Sequence, residues 1–121
     1  MLAYVVRREL PTDRTKFVTD PDANLQVGFV VHAAGSAVMP HTHRPIERHV
    51  VGMSEMLLVQ HGRCVVDLFN DARELVMSRE LVAGDLIVML GCGHGCRMLE
   101  DTVLLEVKQG PYEGPGDKVP F

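Results

Sequence analysis

His41-Thr42-His43 is the part of this sequence with the most chemistry in it. In an extended segment residues i and i+2 point the same way, so this spacing aims both imidazoles into one space. Pro40 and Pro45 flank the pair and stiffen its backbone. Two protonated imidazoles side by side repel, whereas a divalent metal lets both stay neutral and useful. An isolated pair of this kind is as readily two solvated histidines on a loop. Of the remaining histidines, His32 and His61 are expected to pack or cap locally, His49 falls in the stretch after the pair, and His94 stands apart.

Further along, Cys92-Gly93-His94-Gly95-Cys96 places thiols on both sides of a histidine, a set that would suit zinc or copper. The two C-x-x-C pairs of a zinc ribbon are absent, however. Gly91, Gly93 and Gly95 read as a tight turn with close backbone approach, and the cysteines as small core residues. Near the end of the chain Glu106 and Lys108 alternate with Leu105 and Val107, so one face of a strand carries both charges. That face is either solvated or turned into a pocket mouth, where Lys108 becomes a catalytic-site residue anchoring an acidic substrate. Gln60, Arg63 and Arg97 are weaker candidates of the same kind. Arg44, Arg48 and His49 lie in a long loop that would cover a pocket or simply face water.

The spacing of these residues carries a family resemblance. Gly35-(x5)-His41-x-His43, followed by Glu55-(x6)-Gly62, resembles the first cupin motif. Gly84-Asp85 through Gly91-Cys92-Gly93-His94 is similar to the second, without its Pro, one residue shorter, and with Met98 at the Asn position. The likeness runs over roughly residues 25 to 109. It implies a divalent metal (Zn, Mn, Fe or Ni) held by His41, His43, Glu55 and His94. Between His43 and Glu55 the chain is about eight residues longer than the motif, and Glu47 competes for the glutamate role. Glu55 is preferred because it opens an apolar strand, a rigid support for a ligand.

The closing run Leu104 to Tyr112, with Asp117-Lys118 after it, resembles WbuC-type small cupins, which occur in O-antigen, capsule and nucleotide-sugar settings. His41-Thr42-His43-Arg44 is also similar to the WxcM/FdtA-like cupins, sugar ketoisomerases that use the histidine pair without a metal. The resemblance thus implies an isomerase or epimerase acting on a small polar, carbohydrate-derived ligand. Its alternatives are a metal-free ketoisomerase with His41 or His43 as general base, an Fe-dependent dioxygenase, and a non-catalytic binding protein.

The elements that must position these residues are short apolar runs broken every eight to twelve positions by turn residues. Strands are expected at 3–7, 16–19, 25–33, 55–60, 63–69, 74–81, 86–90 and 102–109. A helix over 73–81 is the competing reading, but the run is short, uncapped and set between strand signals. The expectation is a single all-β domain over residues 1–121, a double-stranded β-helix (jelly roll) of about ten strands. Its barrel spans about 25–109, with N-terminal strands over 3–19 and an irregular tail over 110–121.

Composition bounds the rest. Hydrophobic residues make up 46% and charged residues 23% of the 121, ordinary for a globular domain. Without Trp, the core must rest on Val, Leu, Ile and Met. A formal charge of −4 without a basic stripe argues against nucleic acid as a partner. The apolar run before Arg7-Arg8-Glu9 is too short for a signal segment or a membrane span, and an odd count of three cysteines suits a reducing, cytoplasmic setting. Apolar residues on both faces of Met56-Leu57-Leu58-Val59 suggest a homodimer or cover by the N-terminal strands.

Overall fold

Alternation of aliphatic and polar side chains builds the scaffold. The computed structural model describes residues 1–121, with strands β1 (Ala3–Val6), β2 (Lys16–Phe17), β3 (Gly28–Phe29), β4 (Ser54–His61), β5 (Arg63–Phe69), β6 (Leu75–Val82), β7 (Leu86–Leu90), β8 (Gly93–Met98) and β9 (Val103–Lys108). All pairings are antiparallel. One sheet has the order β1-β7-β4-β9, a second β6-β5-β8, and β2 pairs only with β3. In β5, Cys64, Val66 and Leu68 are buried while the residues between them turn outward, the period-2 pattern of a half-buried strand. They meet Leu57 and Val59 of β4, Leu81 of β6, and Ile87 and Met89 of β7 in one core between the two sheets.

The run over 73–81 is a strand paired along β5, so the helix alternative does not form. The hairpin between β4 and β5 turns at Gly62, whose φ of 86° is left-handed. A Cβ there would collide with the Asp101 carbonyl oxygen and with Thr102. The β6–β7 turn is fixed by a buried ion. The Asp85 carboxylate, 1% exposed, accepts the Arg8 N–H at 2.9 Å and the Val82 N–H at 3.1 Å, and takes the Arg7 guanidinium at 2.9 Å. Burial alone would raise the Asp85 pKa. The two backbone donors and Arg7 outweigh it and hold the carboxyl below its ordinary value.

Three expectations need correction. Residues 25–33 supply only the two-residue β3, paired with β2, and residues 30–53 contain no strand or helix at all. Pro40, Pro45 and left-handed glycines at 35 and 52 interrupt that stretch, and its aliphatics do not alternate over any length. The region of Gly93 and Gly95 is a strand, β8, laid along β5, and only Gly91 turns the chain. Nine strands form, against about ten expected. No helix is long and apolar enough to cross a membrane.

Candidate functional site

Strand β4 places Glu55 in the same orientation as the core residues Leu57 and Val59, so its carboxylate points between the sheets. Register then builds a row across the sheet: Ala3, Met89, Glu55 and Lys108 stand opposite one another on β1, β7, β4 and β9. On β9, Leu104, Glu106 and Lys108 face inward, while Val103, Leu105 and Val107 face outward and are about half exposed. The two charges therefore look into the molecule and the aliphatics look out. From the opposite sheet, β8 brings His94 and Cys96 to the same space.

These residues line a cleft of about 860 Å³ between the sheets. At its floor His94 Nε2 lies 3.5 Å from Glu55 Oε2, with the two side chains 32% and 13% exposed. His94 Nδ1 is 3.3 Å from the Cys92 carbonyl oxygen. With Nδ1 donating there, Nε2 is the ring nitrogen that faces the Glu55 carboxylate. Beside it Lys108 Nζ bonds Glu106 Oε1 at 2.7 Å. That contact raises the Lys108 pKa and lowers that of Glu106, which keeps the lysine an ammonium. Lys108 is thus suited to holding a carbonyl or acidic group, and unsuited to carrying a proton away.

The sequence pattern found two of the four resemblance-derived ligands together, Glu55 and His94. The other two are elsewhere. His41 and His43 are exposed on the irregular 30–53 stretch, their rings edge-on with centroids 5.3 Å apart, and His41 Nδ1 is 2.8 Å from the Met39 carbonyl oxygen. Neither lines the cleft, and no group of three or more His, Cys, Asp or Glu side chains converges as an ion site would require. The four-donor set does not fit a metal in this arrangement, because His41 and His43 lie outside the cleft that holds Glu55 and His94. The inward orientation expected for His41 and His43 required a strand, and none forms there.

Other candidates resolve more simply. Glu47, Arg44, Arg48 and His49 are exposed outside the cleft. Arg97 turns outward and grips Asp67, Nε to Oδ2 at 2.9 Å, while Arg63 pairs with Glu80 at 3.3 Å. Gln60 is exposed, and His32 and His61 are exposed too, not packed or capping as expected. Cys64 is fully buried; burial, then its contact with Cys96, pushes its pKa up to about 12, so it is an inert core thiol. Burial also raises the Cys92 thiol. Asp117, Lys118 and Phe121 of the irregular tail line the cleft, a placement that no periodicity in that segment announces. No family model, curated protein or solved structure matches this chain.

Proposed function

We propose that this chain is a small jelly-roll protein of the cupin kind whose cleft binds a small polar, carbohydrate-derived ligand and isomerises it by proton transfer. The observation that carries the reading is the Glu55–His94 pair, half-sheltered at the floor of the cleft and flanked by an ammonium. In such a reaction Lys108 donates to a substrate carbonyl oxygen. The Glu55–His94 pair takes the proton from the adjacent hydroxyl-bearing carbon to give an enediolate, the hydroxyl proton of that carbon passes to the former carbonyl oxygen, and the pair returns its proton to the former carbonyl carbon. Deuterium exchange from D2O into keto sugars, free and nucleotide-linked, tests this by NMR. Exchange at the carbon next to the carbonyl is expected, falling about 100-fold or more in Glu55→Gln and His94→Gln. Equal exchange in both variants would overturn it.

A second reading keeps the metal, and the strand order favours it. A jelly roll has eight strands in two sheets. Here β4, β7 and β9 lie in one sheet and β5, β6 and β8 in the other, as six of those strands would, leaving β8 and β9 with open edges. The 30–53 stretch enters β4 directly and carries exposed Val30, Val38, Met39, Ile46 and Val51. Laid on those edges, it would bring His41 and His43 beside Glu55 and His94. Metal content of untagged protein tests this reading: about one ion per chain, lost in His41→Ala, is expected. Less than ~0.2 ion per chain would exclude it. A homodimer is proposed on the outward aliphatics of β9, with sedimentation as its check.

A further inference from the structure

The segment after β9 does more than trail off. It leaves Gly110, passes a left-handed Gly114 with φ of 90°, makes a single 3-10 turn over Pro115–Asp117, and lays residues 117 to 121 along the cleft. Val119, Pro120 and Phe121 make no hydrogen bond, so their side chains alone hold them. One of these is an anchor. The Phe121 ring meets Phe69 edge-on, centroids 5.2 Å apart at 88°, and the Arg73 guanidinium lies 5.2 Å from the same ring. Glycine at position 93 leaves the seat uncrowded. A Cβ at that position would come within 3.1 Å of Phe121 and 3.2 Å of Phe69. Arg73 itself is held in a left-handed turn, φ 62°, between β5 and β6.

We propose that residues 117 to 121 form a strap across the cleft, hinged at Gly114-Pro115 and latched by Phe121 on Phe69 and Arg73, which opens to admit the small polar ligand. This rests on the cleft being the ligand site. The backbone bonds of Asp117 and Lys118 go only to Gly114 and Pro115 of the adjoining turn, and residues 119 to 121 make none, so one aromatic latch holds the strap to the body and it opens at little cost, whereas a paired strand would not. On closing, the strap adds Asp117 and Lys118 to a wall that already carries Glu55, Glu106 and Lys108. That wall of alternating carboxylates and ammonium groups matches the mixed donors and acceptors of a polyhydroxylated molecule better than it matches an apolar one.

Two cysteines report on the latch. Cys92 and Cys96 line the same cleft as the strap, and Cys64 is fully buried in the core. Native alkylation of the full chain by iodoacetamide, read by mass spectrometry at each cysteine, therefore separates strap opening from unfolding. Phe121→Ala removes an exposed ring, so the fold should persist, and labelling of Cys92 and Cys96 is expected to rise about five- to tenfold with Cys64 silent. Gly93→Ala, which crowds the seat from the other side, is expected to act in the same direction. Unchanged rates in both variants, or a parallel rise at all three cysteines, would overturn the strap. Glu55→Gln should leave labelling as it is. Loss of isomerisation without altered labelling, or the reverse, therefore tells failure of the function apart from failure of the strap.

Discussion

Residues 54–108 and residues 30–53 are both rich in aliphatic side chains, yet they end in opposite states. In the first region Val59, Leu81 and Ile87 are 0% exposed; in the second Val38, Ile46 and Val51 are 60%, 62% and 77% exposed. Hydrophobic content is therefore not what separates them. The first region carries its aliphatics in strands of five to eight residues, alternating in β5 and unbroken in β7, bounded by turns that glycine or Asp can close. The second breaks every short run with proline, glycine or histidine, so no strand long enough to claim a partner forms. The half of the candidate site on the first region, Glu55 and His94, is assembled. The half on the second, His41 and His43, is not.

Substitutions can widen or close that contrast. The largest effect is expected in the core, where Leu81→Ala should cost about 3 kcal/mol in urea unfolding, the usual cost of a large-to-small change in a filled interior. Gly62→Ala should follow at about 2–3 kcal/mol, because it combines a left-handed backbone with a collision against Asp101 and Thr102. Asp85→Asn should lose about 2 kcal/mol at neutral pH, from weakened bonds to a buried carboxylate.

Asp85 also sets an acid limit. Its pKa is lower folded than unfolded, so its stabilisation is complete above the ordinary carboxylate pKa and fades as pH falls through the depressed folded value. Unfolding midpoints measured from pH 7 down to pH 2 should fall more steeply in the wild type than in Asp85→Asn. The smallest effect is expected on the irregular stretch, where Ile46→Ala should change stability by less than about 0.5 kcal/mol. A loss above about 1 kcal/mol there would mean that residues 30–53 pack against the open edges in solution, and would carry the metal reading with it.

How far the sequence could be read follows from the same contrast. Strand β5 is legible because Cys64, Val66 and Leu68 announce a face at every second residue, and β4, β6, β7 and β9 because their aliphatic runs are short and bounded by turn residues. β8 is hidden: glycines alternate with His94 and Cys96, and glycine signals a turn more strongly than an edge strand. Glu55 could be preferred over Glu47 from its strand, and the preference places it in the cleft. The inward face of Glu106 and Lys108 was one of two open readings, because alternation shows that charges share a side without saying which side is in. The burial of Asp85 is not legible locally, since the guanidinium and amide that hold it come from Arg7 and Arg8, more than seventy positions earlier.

That distance has a consequence for biosynthesis. β1 emerges from the ribosome first, yet both its partner strand β7 and the carboxylate that fixes Arg7 and Arg8 lie beyond residue 84. At roughly 5–20 residues per second, the opening strand waits on the order of 4–16 s before anything exists for it to pair with. Through that interval Tyr4 and Val6 stand without the strand that covers them in the finished sheet.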